Sequence, residues 1–120
     1  MYISPMYSKE LLKGTLEVII LKLLSEHNKM YGYELSQLVK EETEGKIQLK
    51  DGSLYPALHK LTKDGLLTYE EVSMGKRIRK YYKLTAQGET QKNILLEEMK
   101  DFIQTMQQVI FNQNKTGLAL

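Results

Sequence analysis

The residues with the plainest chemistry are cations in two groups: Lys60 and Lys63, then Lys76, Arg77, Arg79 and Lys80. Ammonium and guanidinium groups at such density pair with phosphate oxygens. A guanidinium is also drawn by the enhanced negative potential of a narrow minor groove, a role that falls to Arg77. Just before the first group stand Ser53, Tyr55, Pro56 and His59. The Ser53 hydroxyl and the amides at a helix start can receive phosphate, and Tyr55 and His59 can hydrogen-bond or stack. The charge distribution agrees: residues 46–83 carry nine Lys/Arg against four Asp/Glu, residues 1–45 five against seven, and residues 84–120 three against four. A net charge of +2 therefore conceals a basic centre between mildly acidic flanks, which is the electrostatic footprint of a polyanion-binding surface.

Other chemistries lack their residues. With no cysteine there is no disulfide, thiol nucleophile or thiolate metal site. The two histidines, His27 and His59, cannot by themselves hold a metal, and neither has an obvious general-base partner. Glu41, Glu42 and Glu44 are bunched in a way that solvation explains, and no glycine-rich phosphate loop is present. No enzyme activity, metal or cofactor is expected. The apolar run Val18-Ile19-Ile20-Leu21 is broken by Lys22, well short of the roughly 20 residues that span a bilayer. No signal peptide is recognisable, so a cytoplasmic chain without membrane attachment is expected.

The 120 residues, 42% hydrophobic, suit one compact domain with apolar surface to spare. Leu12, Leu16, Ile19, Ile20, Leu23 and Leu24 predict a first helix from Lys9 or Leu11 to His27. Leu35, Leu38 and Val39 predict a second from Gly32 or Tyr33 to Glu42. Lys50-Asp51-Gly52-Ser53 reads as a turn into a third helix, capped by Asp51 or Ser53, with Pro56 close to its start. Leu54, Leu58 and Leu61 form its buried stripe, and Gly65 ends it in a left-handed conformation. From Leu66 the period falls to two, giving a β-hairpin with a basic tip around Gly75 that runs out to Leu84.

Thr85 then caps a last helix reaching about residue 111, roughly 40 Å long at 1.5 Å per residue. Leu95, Met99, Phe102, Met106 and Val109 make a heptad seam, widened by Leu96, Ile103 and Ile110. Such a helix exceeds what a small core can cover, so a second copy of the chain is its expected partner. Residues 112–120 are expected to form a disordered tail.

The fold class expected is mainly α with a small β-hairpin: a winged helix-turn-helix over residues 9–84 plus a C-terminal dimerisation helix over 85–111. In that order of elements the third helix reads the major groove of double-stranded DNA while the hairpin reaches an adjacent backbone or minor groove.

Leu12-Lys13-Gly14-Thr15-Leu16, Tyr31-Gly32-Tyr33-Glu34-Leu35, Gly52-Ser53-Leu54-Tyr55-Pro56-Ala57-Leu58, Lys63-Asp64-Gly65-Leu66 and the run from Arg79 to Gly88 occur in this order. Together they resemble the successive signatures of the PadR family of bacterial transcriptional regulators, in its compact form with one long final helix. The resemblance implies a homodimer on an inverted-repeat operator, usually a repressor, released by a small aromatic or planar effector. It also implies a ligand cavity between subunits built by the first and last helices, which places Leu12, Leu16, Leu95, Met99, Phe102 and Met106 at the dimer contact and cavity. With no tryptophan in the chain, stacking of a flat compound falls to Phe102.

The rival reading is a winged-helix module that binds another protein through the Met/Phe stripe without specific DNA readout. Charge geometry separates the two. DNA requires Lys60, Lys63, Lys76 and Arg77 to form one positive surface, repeated across a dimer about one helical turn, or a multiple of it, apart (roughly 34–36 Å).

Overall fold

The computed structural model describes residues 7–112; the tail expected over 112–120 lies outside them save for Asn112. The elements are α1 (Lys9–Leu12), α2 (Leu16–Glu26), α3 (Gly32–Glu42), α4 (Asp51–Lys63), β1 (Leu67–Met74), β2 (Arg77–Leu84) and α5 (Ala86–Phe111). This is the mainly helical winged arrangement expected, with two corrections.

The first helix is two. Gly14 adopts φ +91°, a left-handed value that glycine reaches without a Cβ clash. The Leu12 carbonyl leaves the helical ladder and accepts both the amide (3.0 Å) and the hydroxyl (2.7 Å) of Thr15. The Leu12-to-Leu16 spacing survives the break, which is why periodicity alone reads through it.

The third helix begins earlier than its proline suggests. Lys50 is its N-cap, and the Lys50 carbonyl already accepts from Ser53 (3.0 Å) and Leu54 (2.8 Å). Asp51 and Ser53 therefore lie inside α4, not at its cap, and Pro56 sits in the second turn. Proline there forfeits one bond, to the carbonyl four residues back. That carbonyl belongs to Gly52, which is exposed to solvent.

α2 supplies Ile20, Leu21, Leu23 and Leu24 to the core, α3 supplies Leu35 and Val39, and α4 supplies Leu54, Leu58 and Leu61. Leu58 and Leu61 are fully buried, so cutting either to alanine costs about 2–5 kcal/mol. α3 and α4 both end in paired terminal bonds. After α4, Leu66 donates to Leu61 and Gly65, at φ +83°, donates to Thr62. After α3, Gly45 donates to Lys40 and Glu44 to Glu41, with Glu44 at φ +53°. This is the Schellman arrangement, which satisfies otherwise unpartnered carbonyls.

β1 and β2 pair antiparallel from Leu67↔Leu84 to Met74↔Arg77, leaving Gly75 and Lys76 as a two-residue loop. Gly75 has φ +68°, as the first position of a tight II′ hairpin turn requires. The hairpin does not stand alone. Met30 and Tyr82 exchange backbone hydrogen bonds of 3.0 and 2.8 Å, adding a one-residue third strand just before α3.

Thr85 fastens the far end. Its amide donates to Leu66, its hydroxyl donates to the Gly65 carbonyl (2.7 Å), and the same oxygen accepts from the Gly88 amide (2.9 Å) as the cap of α5. α5 packs on α2 and β2, with Lys92 donating to Ser25 at 3.2 Å. Beyond Met99 it runs past the core: Phe102, Ile103, Val109 and Ile110 are more than half exposed. Among the described residues no helix is long and apolar enough to cross a membrane.

Candidate nucleic-acid interface

Three consecutive residues at the start of α3 support the interface. The Met30 backbone pairs with Tyr82 of β2. Tyr31 receives the guanidinium of Arg79 on its ring face, 3.9 Å from the centroid. Gly32 receives the ring of Tyr55 from α4, so closely that a Cβ on Gly32 would stand 2.7–2.8 Å from it. α4 and the β1–β2 hairpin thus rest on one short segment.

Between them lies an open cleft of about 900 Å³ whose lining includes Tyr33, Tyr55, His59, Arg77, Arg79 and Lys80. Its polar character comes from cations and aromatic hydroxyls, with Asp51 the one carboxylate in its lining. Lys80 leans over the Tyr69 ring at 4.6 Å, a cation–π contact that leaves the ammonium able to face solvent. At the outer edge, Lys29 and Glu70 form an ion pair joining the loop before α3 to β1. The Lys29 hydrogen bond and charge hold the Glu70 carboxyl below the usual glutamate range. Burial pushes the Tyr82 hydroxyl above its ordinary value.

The cations expected to bind phosphate divide into two kinds. Lys63, Lys76 and Arg77 are exposed, Lys63 in the last turn of α4 and the other two at the wing tip. Lys60 is exposed but paired, 3.1 Å from Asp64 and 3.5 Å from Glu17 of α2. The Asp64 hydrogen bond and the Glu17 charge raise its pKa. One cation between two carboxylates gives no positive patch, so the basic surface is centred on the wing and the cleft.

Ser53, Tyr55, Pro56 and His59 are all exposed on α4. The Ser53 amide is already committed to Lys50, so only its hydroxyl is free to serve a phosphate. Arg79 is half-buried against Tyr31. The dimer and cavity residues form no enclosed site within one chain: Leu12, Leu16, Leu95, Met99 and Met106 are half-buried, and Phe102 is 56% exposed. Tyr31, Tyr33, Met74 and Ile78 also line the cleft, and no residue-type argument selected them. The Tyr31-Gly32-Tyr33 motif was a signal for the two tyrosines; Met74 and Ile78 carried none. Among the described residues no group of three His, Asp or Glu is placed to hold a metal ion.

Residues 20–93 match the sequence model of the transcriptional regulator PadR-like family. A transcriptional regulator from Clostridium thermocellum superposes with a TM-score of 0.79 at 27% identity, covering 87% of this chain and 98% of that one. A PadR-like transcription factor from Bacteroides fragilis gives 0.70 at 35% identity, covering 83% and 94%. An uncharacterized protein of Lysinibacillus sphaericus is 35% identical over 95 residues, 78% of this chain and 85% of that protein.

Proposed function

The chain belongs to the transcriptional regulator PadR-like family, a family of DNA-binding regulators and not of enzymes, and from that premise we propose that it acts as a homodimeric, sequence-specific repressor on an inverted-repeat operator. α4 enters the major groove, where Ser53, Tyr55, Pro56 and His59 face bases or the adjoining backbone and Lys63 meets phosphate. The wing tip, Lys76 and Arg77, reaches the neighbouring minor groove. Lys60 contributes last, since a phosphate approaching it also approaches Glu17 and Asp64.

Residues 9–84 form the DNA-binding unit and 85–111 the dimerisation helix. Leu95, Met99, Phe102 and Met106 meet their counterparts, with Leu12 and Leu16 at the margin, in a seam whose centre takes a small aromatic or planar effector. Work on chromosomal DNA places the protein in the cytoplasm.

The observation that carries this reading is the uncovered cleft joining α4 to the wing, lined by Tyr55, His59, Arg77 and Lys80. The test is a mobility-shift titration on promoter fragments across salt concentrations, with light scattering on the same samples. Expected are binding that weakens steeply with salt and a mass twice 13.9 kDa. No binding at low salt would favour the protein-interaction module instead.

A further inference from the structure

Arg79 sits between two cations of the wing, yet its surroundings differ from theirs. Arg77 and Lys80 are exposed, whereas Arg79 is half-buried. Its guanidinium lies 3.9 Å from the Tyr31 ring centroid and donates to the Tyr81 hydroxyl at 3.3 Å. The Tyr31 and Tyr81 rings themselves meet edge to face, 5.4 Å apart at 70°, and Tyr33 stacks on Tyr31 at 6.5 Å. Tyr31 is in turn fixed by its amide, which donates to the Glu34 carboxylate at 3.1 Å. A planar guanidinium can lie flat on a ring and donate within its own plane, whereas a compact ammonium has no flat face to stack.

We propose that Arg79 is a positioning residue, not a phosphate ligand: by stacking on Tyr31 and bonding Tyr81 it locks the wing to the Met30–Gly32 segment on which the reading helix also rests, and so sets the distance between the two DNA-reading elements. The wing is held there by backbone at Met30 and Tyr82 and by side chains at Tyr31 and Arg79, while α4 is held by Tyr55 on Gly32. Loosening the Arg79 contact gives the outer part of the hairpin more freedom to tilt about the Met30–Tyr82 bridge, with the Lys29–Glu70 pair left at its edge. The significance for DNA binding rests on the reading given under Proposed function; the clamp itself does not.

Two measurements on Arg79→Lys, Arg79→Gln, Tyr31→Leu and the Tyr31→Leu/Arg79→Lys double variant test this. The first is amide hydrogen exchange without DNA. Expected is about tenfold faster exchange at Met30 and Tyr82 in Arg79→Lys and Tyr31→Leu, no further acceleration in the double variant, and unchanged exchange at Leu24 and Leu58, where a general loss of stability would show. Wild-type exchange at Met30 and Tyr82 in Arg79→Lys would overturn the proposal, whatever the chain does with DNA.

The second is the salt dependence of DNA affinity. Expected is an affinity loss of about tenfold in Arg79→Lys with the wild-type slope of log K against log salt. A phosphate ligand would instead leave Arg79→Lys near wild type and make the slope shallower by about 0.9 in Arg79→Gln, and that result would also overturn the proposal. Absence of wild-type DNA binding would remove the DNA reading alone and leave the exchange measurement to decide the clamp.

Discussion

A Cβ built on Gly88 would lie 2.0 Å from the carbonyl oxygen of Leu66. The first turn of α5 is thereby pressed against the loop that ends α4, at the point where Thr85 joins Gly65 and Leu66. No side-chain rotation relieves a clash with backbone. Gly88→Ala is expected to cost about 3 kcal/mol, the upper end for overpacking, and to swing α5 away from the winged domain. Thermal melting reads the first effect and loss of the Thr85 cap, seen as faster Gly88 amide exchange, the second.

Gly32 meets a softer neighbour. A Cβ there would contact the Tyr55 ring at 2.7–2.8 Å, but Tyr55 is 45% exposed and can turn outward. Gly32→Ala is expected to cost about 1–2 kcal/mol, and to weaken DNA binding more than stability because it displaces a reading-helix side chain. Tyr55→Ala should absorb most of that stability loss, so the double variant will be markedly less unstable than the sum of the singles. Denaturant melts of the four proteins check the cycle; strict additivity would refute the packing argument.

What the sequence reveals about this fold is what is local. Gly65 and Thr85 announce their ends because the left-handed turn and the side-chain cap each favour a few residue types at one place. The hairpin is legible from its period and from Gly75 for the same reason. The break at Gly14 is not, because Leu12 and Leu16 keep helical spacing across it. The start of α4 was obscured by Pro56, whose lost hydrogen bond is harmless only because Gly52 happens to be exposed. At the candidate site, Lys60 shows the deeper limit: Asp64 is four residues away, but Glu17 reaches it from another helix, and no spacing rule reports such a neighbour. Tyr31 and Arg79 are likewise far apart in sequence, so their stacking follows from the fold and not from the pattern.

Phe102 is 56% exposed, and Ile103, Val109 and Ile110 beside it are as open or more so. Burying a large apolar side chain is worth about 1.5–3 kcal/mol, so a charge placed in the middle of the seam acts chiefly on association. Phe102→Glu is expected to give the 13.9 kDa monomer by light scattering while changing monomer stability by less than about 0.5 kcal/mol. The wild-type melting temperature should rise with protein concentration and that of the variant should not. A variant that stays dimeric would place the contact elsewhere.

Glu70 offers a pH test of the wing's outer edge. Its carboxyl is held below the ordinary glutamate range by the Lys29 hydrogen bond and charge. A lowered folded-state pKa means that the stabilisation is complete above the ordinary value and is lost as pH falls through the folded one. Lys29→Met should therefore raise the Glu70 midpoint in an NMR titration. The stability gap between wild type and variant, small because the pair is exposed, should be present at neutral pH and vanish in acid. An unmoved midpoint would show that the pair does not persist in solution.

Arg77 on the wing and Lys60 on α4 are both exposed cations, but only Lys60 has carboxylates beside it, Asp64 at 3.1 Å and Glu17 at 3.5 Å. A phosphate brought to Lys60 is repelled by both, whereas one brought to Arg77 meets Lys76 and Lys80 on the same wing. Arg77→Ala is thus expected to flatten the salt dependence of DNA binding by about 0.9, the value of one lost phosphate contact, and Lys60→Ala to change it by clearly less. Glu17→Gln carries the sharper consequence. Removing that carboxylate leaves Lys60 with Asp64 as its remaining acidic partner and takes away a negative charge beside it, so affinity should increase at low salt and the slope steepen by a fraction of one contact. Fluorescence anisotropy over a salt series measures all three. Weaker binding in Glu17→Gln would mean that the Glu17 to Lys60 pair is needed to hold α4 in its reading position, and that its structural role outweighs its electrostatic one.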